Sequence, residues 1–405
     1  MEGGFMFSGL SRRARNLSPS PTLALDARTK ELQAKGVDVV NLGIGEPDFD
    51  TPSHIGDAAV QAIREGFTKY TPATGIPDLK KAVCKKFLED NGLEYDLSQV
   101  VISVGAKQAV YNAVQVLCDE GDEVIVPAPY WVSYTEIIKL AGGIPVEVPS
   151  REEAGFKVSA ADLEAAIGDR TKILLFNSPN NPSGAVYDRD ELLAIADVCL
   201  KRGLYIISDE IYEKLVYGGL KHVSIASVRP ALKDRTIVIN GVSKAFSMTG
   251  WRIGFAAGPR EAIKAMGDLQ GQVTSNPTSI SQKAALAALL GPKEPVEAMV
   301  REFEKRRNFV VGELNSIPGL RCSTPGGAFY VYPNVSAFIG KKNASGKTIA
   351  DSADLAEAIL QEAAVAVVPG TAFGMDGYVR ISYATSMENL RKGIDRLRRF
   401  FAALG

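Results

Sequence analysis

The sequence predicts an α/β protein with a mostly parallel sheet and a second, smaller α+β unit. Between about residues 100 and 260, short apolar runs alternate with stretches of helical periodicity. The chain has 405 residues, of which 46% are hydrophobic and 23% are charged, so it is a globular chain too long for one small core. After residue 258 the pattern becomes mainly helical before further strand-like runs appear.

Seven apolar runs are the candidate strands of the large sheet: 100–105, 123–127, 144–149, 172–177, 204–208, 236–240 and 252–258. A helical stretch follows each of the first four. In the first of these, Ala109, Ala113, Val116 and Leu117 fall on one face. Regular alternation of strands and helices predicts a parallel sheet covered on both faces, with its ligand at the carboxyl ends of the strands.

The pattern of the C-terminal third predicts a separate α+β domain. A long charged helix beginning near Glu294 is followed by the strand-like "GAFYVYPNV", "AVAVVPG" and "YVRISYA" and by a final helix ending in "RLRRFFAALG". We therefore expect residues 1–50 to form an N-terminal arm and part of the small domain, 51–295 the large domain, and 296–405 the rest of the small domain.

Composition excludes several classes of function. The net charge of −1 gives no reason to expect nucleic acid or an anionic membrane as partner. No stretch approaches ~20 apolar residues, the length of a membrane span. Two histidines and four cysteines without a C-x-x-C pair make a structural zinc site unexpected, so we expect no metal. The cytoplasm is the expected location, and an organelle transit peptide suggested by Arg12, Arg13 and Arg15 is the weaker alternative.

Polar residues follow the predicted strands. Gly105 and Ala106 stand at a strand-to-helix turn that either binds an anion or is an ordinary glycine turn. Trp131 either packs in the core or stacks on a planar ligand. Asn180 and Asn181 belong to a turn-rich "NNPSG" that also follows a strand.

The next two strand ends carry charges. Asp209 comes one serine after four apolar residues, 204–207, and either caps a helix or partners a cationic ring nitrogen of a ligand. Lys244 either reaches solvent or offers a neutral amine that attacks a carbonyl. Arg252, with Ser243, could clamp a phosphate through charge-assisted hydrogen bonds.

Taken together, these residues match the needs of pyridoxal 5′-phosphate. The cofactor requires an anion cradle, a stacking ring, donors to its phenolate oxygen, a carboxylate at its pyridine nitrogen and a lysine at its aldehyde. The candidates are, in that order, Gly105, Ala106, Ser243 and Arg252; Trp131; Asn181 and Tyr212; Asp209; and Lys244.

The motifs also carry a family resemblance. The segments "SPSPTLALDARTKEL", "NLGIGEPDFDTP", "KYTPATGIPDLKKAV", "SPNNPSG", "SDEIYE", "SKAFSMTGWRIGF" and "VRISYATS" cover nearly the whole chain. With these motifs in this order, the chain resembles the fold-type I, class I pyridoxal-phosphate aminotransferases. Within that family it resembles the bacterial-type aspartate aminotransferase branch, which includes prephenate aminotransferases. The resemblance implies a homodimer with shared active sites, in which Lys244 moves the substrate's α-proton.

The resemblance also assigns residues that the pattern alone does not. It implies that Arg380 binds the substrate's α-carboxylate together with Asn181 and Gly45, and that Trp131 borders the substrate. Tyr70 would reach the phosphate of the neighbouring subunit's site, which Ser275–Pro277 would also face.

Two further residues bear on the substrate. In this branch Lys107 is associated with the distal carboxylate of a dicarboxylic amino acid, beside the cofactor, and Thr22 accompanies it in enzymes that accept prephenate. Without the family argument, Lys107 is an exposed first-turn lysine. We expect aspartate and 2-oxoglutarate as substrates, with prephenate as a second acceptor.

Several alternatives stay open. They are a lyase or synthase of the same fold type and an aminotransferase for other amino acids. A sensor fused to a DNA-binding module is disfavoured because only ~40 residues precede "NLGIGEPDF". A nucleotide-binding protein is disfavoured because "GIGEPD" lacks the third glycine of the dinucleotide motif.

Overall fold

The computed structural model describes residues 9–404, so residues 1–8 of the predicted N-terminal arm and Gly405 lie outside the described residues. The described chain forms thirteen α-helices: α1 (Arg12–Arg15), α2 (Pro21–Ala34), α3 (Ser53–Arg64), α4 (Pro77–Asn91), α5 (Gly105–Leu117), α6 (Ser133–Leu140), α7 (Ala160–Ala166), α8 (Arg189–Arg202), α9 (Arg260–Val273), α10 (Ser279–Leu290), α11 (Glu294–Asn315), α12 (Ser352–Ala358) and α13 (Met387–Ala403). Within residues 9–404, no helix has the length and apolarity that crossing a bilayer demands.

Twelve strands accompany the helices: β1 (Val40–Asn41), β2 (Val100–Ser103), β3 (Glu123–Ala128), β4 (Ile144–Pro149), β5 (Thr171–Asn177), β6 (Tyr205–Asp209), β7 (Thr236–Gly241), β8 (Gly254–Ala257), β9 (Tyr330–Val331), β10 (Val365–Ala366), β11 (Val368–Pro369) and β12 (Val379–Ser382). The large sheet has seven strands in the order β2-β8-β7-β6-β5-β3-β4. All seven strands expected from the sequence are present in it, each within a few residues of its predicted bounds.

The large sheet is mixed, because β8 runs antiparallel to both of its neighbours. The other strands pair in parallel from β7 to β4. The apolar run predicted as 252–258 forms a strand only over Gly254–Ala257. The reversal of β8 places its amino end at the same edge as the carboxyl ends of the parallel strands. Arg252 therefore reaches the ligand edge from the start of a strand, and not from a carboxyl end as predicted.

Side-chain alternation along the central strand separates two cores. Ile237 and Ile239 of β7 pack on the face that α5 covers, whereas Val238 packs on the face with α4 and α10. Because both faces are buried, Ile237, Val238 and Ile239 are all apolar rather than alternating with polar residues.

Local signals fix the helix ends. α4 has proline at its first position and ends at Gly92 with φ +66°, a left-handed cap that glycine adopts without a Cβ penalty. α8 begins with a capping box in which Asp188 accepts from the first-turn backbone and Glu191 accepts from the Asp188 N–H.

The C-terminal unit has its own antiparallel sheet, in the order β11-β12-β9. The N-terminal segment joins this unit, because β1 pairs in parallel with β10. Its core packs α11 and α13 against the small sheet through Phe303, Val310 and Leu397. We propose the domain division 51–295 and 296–405, with residues 1–50 as arm and small-domain part; its second boundary falls in the first turn of α11.

Candidate active site

A cavity of about 510 Å³ opens at the edge of the large sheet where β5, β6 and β7 end. Twelve of the fourteen site residues predicted from the sequence line it: Thr22, Gly45, Ala106, Lys107, Trp131, Asn181, Asp209, Tyr212, Ser243, Lys244, Arg252 and Arg380. The two others are Gly105, which lies behind the wall, and Tyr70, which does not line the cavity of its own chain.

Lys244 follows β7 and extends into this cavity rather than to the outer surface. Its Nζ donates a hydrogen bond to the Gly45 carbonyl at 2.7 Å. Burial lowers the pKa of Lys244 to about 8, with Arg252 and Arg380 acting in the same direction and Glu46 opposing them. A neutral amine is therefore accessible near physiological pH, which a nucleophile or general base requires.

Asp209 is a buried carboxylate at the end of β6. Burial raises its pKa to about 6, although two hydrogen bonds oppose this shift. The Tyr134 hydroxyl donates to Oδ2 at 2.8 Å and the Ile211 N–H donates to Oδ1 at 3.2 Å. At pH 7 the carboxylate is mainly ionised and can face a cationic ring nitrogen. The structure shows a turn and no helix after Asp209, so the helix-cap alternative is wrong.

The start of α5 forms an anion cradle with Arg252. Gly105 has φ +77°, and a Cβ built there would collide with the Arg252 guanidinium, so only glycine lets the arginine approach. Arg252 has the left-handed φ of +56°, which is uncommon for a residue with a side chain, and its Nη1 donates to the Thr249 carbonyl at 2.9 Å. Backbone N–H groups, helix dipole and guanidinium together can hold a phosphate-sized anion.

Arg380 lies on β12 and is only 2% exposed. Its Nη1 donates to Asn181 Oδ1 at 2.9 Å and its Nη2 donates to the Gly43 carbonyl at 2.8 Å. Its Nε has no partner, and no carboxylate pairs with it among residues 9–404. A buried guanidinium without a counter-ion is costly, so its position at the cavity wall indicates an anionic ligand.

Aromatic side chains shape the cavity. Tyr212 and Tyr330 share a hydrogen bond between their hydroxyls at 3.0 Å, and the Arg380 guanidinium lies 4.3 Å from the Tyr330 ring centre. Trp131 stands edge-on to Tyr134, with ring centres 5.4 Å apart. Trp131 packs against the core and also lines the cavity, where stacking on a planar ligand stays a prediction.

Lys107 stands at the mouth of the cavity. It is an exposed first-turn lysine of α5, and its Nζ lies 4.7 Å from the Trp131 ring centre. Desolvation by its neighbours lowers its pKa, and Arg252 acts in the same direction. Thr22 comes from the opposite side, in the first turn of α2, where its hydroxyl shares a 2.9 Å hydrogen bond with Ser20. The helix α2 therefore covers one side of the mouth.

Tyr70 lies away from the cavity of its own chain. It is 91% exposed, on a loop between α3 and α4. The predicted "SNP" segment Ser275–Pro277 lies close to that loop, since Gln282 Nε2 donates both to Thr71 Oγ1 at 3.0 Å and to the Pro277 carbonyl at 2.8 Å. The two segments thus lie together, outside the cavity of their own chain.

Sequence reasoning missed several cavity residues. Tyr134 and Tyr330 carry the hydrogen bonds to Asp209 and Tyr212, and Asn177 Nδ2 donates to the Asp209 carbonyl at 2.8 Å. Position alone could have indicated Asn177, which ends β5 as Asp209 ends β6. Nothing in the local sequence marks Tyr330.

A buried acidic cluster lies beneath the site. Glu210, Glu213 and His222 place one possible ligand atom each within 4.8 Å of one another. The cluster already holds a cation, because Lys86 Nζ lies 2.5 Å from Glu213 Oε1. Glu210 is fully engaged as well, by two serines and by His222 at 2.9 Å. The arrangement is an internal ion-pair network.

Known proteins resemble this chain over almost its whole length, both in sequence and in structure. A family model described as aminotransferase class I and II matches residues 37–397. The aspartate aminotransferase of Geobacillus stearothermophilus is 53% identical over 397 residues, which cover 97% of this chain and 99% of the relative. The aspartate/prephenate aminotransferase of Cereibacter sphaeroides is 51% identical over 396 residues, which cover 98% of this chain and 99% of the relative. The solved structure of the aspartate aminotransferase from Rhizobium meliloti has a TM-score of 0.95 and 44% identity, and the alignment covers 98% of this chain and 99% of that one.

Proposed function

The chain belongs to the class I and II aminotransferase family, and we propose that it transfers the amino group of L-aspartate to 2-oxoglutarate through pyridoxal 5′-phosphate. The proposal includes prephenate as a second amino acceptor. The observation that carries it is the convergence of Lys244, Asp209 and Arg380 on one cavity.

The residues of the cavity fit the cofactor. The glycine-dependent approach of Arg252 to the start of α5 suits its phosphate, and the buried Asp209 suits its protonated ring nitrogen. When bound, the group acts as an electron sink that stabilises negative charge at the substrate's α-carbon. Ser243 and Ala106 would complete the phosphate site, Trp131 would stack on the ring, and Asn181 and Tyr212 would face its phenolate oxygen.

The chain's own residues supply the rest of the chemistry. Lys244 Nζ accepts the proton from the substrate's α-carbon and later returns a proton, which a pKa of about 8 allows in both directions. Arg380 binds the α-carboxylate with its guanidinium fork, beside Asn181 and Gly45, and so orients the α-carbon. Asp209 keeps its negative charge at the ring nitrogen throughout.

The substrate preference rests on the mouth of the cavity. Lys107 would bind a distal carboxylate near Trp131, and Thr22 would contact it from α2. An acid with two carboxylates spaced to reach Arg380 and Lys107 is therefore favoured, and prephenate also carries two carboxylates. The names of the Geobacillus and Cereibacter relatives, aspartate aminotransferase and aspartate/prephenate aminotransferase, support aspartate as the donor and prephenate as an acceptor.

We also propose a cytoplasmic homodimer. The family resemblance supports it, and so does the exposure of Tyr70, which lies outside the cavity of its own chain and would serve the partner's phosphate site. Ser275–Pro277 beside it would face the same neighbouring site.

Steady-state kinetics test the proposal. When the aspartate concentration is varied at several fixed 2-oxoglutarate concentrations, double-reciprocal plots of the initial rates should give the parallel lines of a ping-pong reaction. Prephenate should be able to replace 2-oxoglutarate as the acceptor. Repeated turnover that releases pyruvate or ammonia from an amino acid without any acceptor would instead indicate the lyase alternative. Amino transfer from other donors with no turnover of aspartate would contradict the proposed substrate while leaving the family unchanged.

A further inference from the structure

A second cavity, of about 410 Å³, lies on the face of the large sheet that α4 and α10 cover. It is enclosed by α4, the end of α10 and the first turns of α11. Its floor is apolar, with Phe246, Phe255 and Ala288. A cavity of this size and composition suits a small organic molecule, and the described residues do not fill it.

A buried amide lacks a partner at this cavity. Asn240 lies near the end of β7, on the same face as Val238, and lines the second cavity. Its side chain is buried, with the residue only 3% exposed. Its Oδ1 accepts from the Gly241 N–H at 2.7 Å. Its Nδ2 has no hydrogen-bond partner among residues 9–404. A buried donor without a partner destabilises the protein, so an acceptor atom of a ligand would be favourable there.

The charges around the cavity favour an anion. Three of its cations are paired with acids of the same wall: Lys85–Glu89, Lys86–Glu213 and Lys214–Asp90. Among the charged groups that line the cavity, Lys293 at the N-cap of α11 and Arg301 about two turns along it form no ion pair within residues 9–404, and neither does Glu297 between them. These three groups leave one net positive charge, to which the amino end of the 22-residue helix α11 adds its dipole.

The second cavity shares its wall with the active site. Ile211 lines both cavities, and its backbone N–H is the group that donates to Asp209 Oδ1. The loop after β7 also contacts both cavities. Ser243 and Lys244 line the first cavity, whereas Ala245 and Phe246 line the second. A molecule packed against Phe246 therefore presses on the segment that carries Lys244.

We propose that this second cavity binds a small organic monoanion with an apolar, ring-sized body, and that its occupancy alters the active site through Ile211 and residues 243–246. The anionic group lies at Lys293 and Arg301, an acceptor oxygen reaches Asn240, and the body packs on Phe246 and Phe255. Nothing in the amino-transfer reaction itself uses this cavity.

The test uses 1-anilinonaphthalene-8-sulfonate, an aromatic monoanion, titrated calorimetrically into the holoenzyme. Wild type should bind it saturably. The double variant K293A/R301A should bind it about fivefold more weakly, which corresponds to the loss of about 1 kcal/mol of attraction from rim charges. V300W fills the cavity from α11 and should abolish the binding. K305A removes an exposed lysine of the same helix that does not line the cavity, and should bind as wild type does.

The second readout is kinetic. Saturating probe should change the KM or kcat for the amino donor at least about twofold in wild type and leave V300W unaffected, as coupling between two sites requires. Equal affinity in all four proteins, or no saturable binding to wild type, overturns the site. Saturable binding with unchanged wild-type kinetics overturns the coupling. Each result is independent of which oxo acid the enzyme prefers.

Discussion

The most informative single substitution is Arg380→Lys. The guanidinium is buried, its two terminal nitrogens are held by Asn181 and the Gly43 carbonyl, and its Nε has no partner among the described residues. Lysine keeps the positive charge but has one nitrogen instead of a planar fork. It therefore cannot hold both protein acceptors and both oxygens of a substrate carboxylate.

The size of the effect follows from the lost hydrogen bond. A hydrogen bond to a charged group contributes about 1.5–3 kcal/mol, and each 1.4 kcal/mol corresponds to a factor of ten. Loss of one arm of the fork should therefore lower kcat/KM for aspartate by about 10- to 150-fold. The cofactor affinity should not change, because Arg380 is assigned to the substrate and not to the phosphate.

A matched control is available in Arg307→Lys. Arg307 is also buried, at 7% exposed, but its partners Glu304, Asn308 and the Pro325 carbonyl all belong to the protein. This variant should lose stability in a denaturant titration and keep the wild-type KM. A wild-type kcat/KM for R380K, or an equal rise of KM in both variants, would refute the assignment of Arg380 to the substrate carboxylate.

Three other predictions concern separate parts of the structure. Tyr134→Phe removes the hydroxyl that lowers the pKa of Asp209, so that pKa should rise from about 6 by about one to two pH units. Because only the ionised carboxylate holds a protonated ring, the affinity of the apoenzyme for pyridoxal 5′-phosphate should fall at pH 7 and recover at pH 9, and an unchanged pH profile would contradict this. Lys107→Leu should lower kcat/KM for aspartate about tenfold and leave alanine, which has no distal carboxylate, unaffected; equal losses for both amino acids would remove Lys107 from substrate recognition. Lys86→Met leaves Glu213 buried without its 2.5 Å partner and should cost about 3 kcal/mol of unfolding free energy, whereas Lys85→Met, at an exposed pair, should cost less than about 1 kcal/mol; equal costs in urea titrations would count against the buried network.

The strand ends explain how much of the site could be predicted. Asp209 and Lys244 each follow a run of apolar residues, and a parallel sheet brings the ends of such runs to one edge. Arg252 was predicted to be near them, but its position at the start of β8 depends on an antiparallel strand that the apolar pattern does not distinguish. The pairing direction is set by the long-range fold, not by the composition of the strand.

Residues from distant segments were harder to predict. Arg380 is a lone arginine in a short strand, and only the family resemblance assigned it a role. Tyr330 lies 118 positions from the tyrosine whose hydroxyl it meets, and nothing in its local sequence marks it. Asn240 was part of an apolar strand motif, and its unpartnered amide becomes evident only when the cavity behind the sheet is seen.

The central claim is that Lys244 moves the substrate's α-proton in an amino transfer from aspartate. It is tested most directly by mixing the cofactor-loaded enzyme with L-aspartate in the absence of any acceptor and measuring oxaloacetate. Wild type should release one oxaloacetate per active site and then stop, until prephenate or 2-oxoglutarate is added. Lys244→Ala should retain the cofactor and release almost none. Stoichiometric oxaloacetate from the alanine variant at the wild-type rate, or none from wild type, would contradict the account.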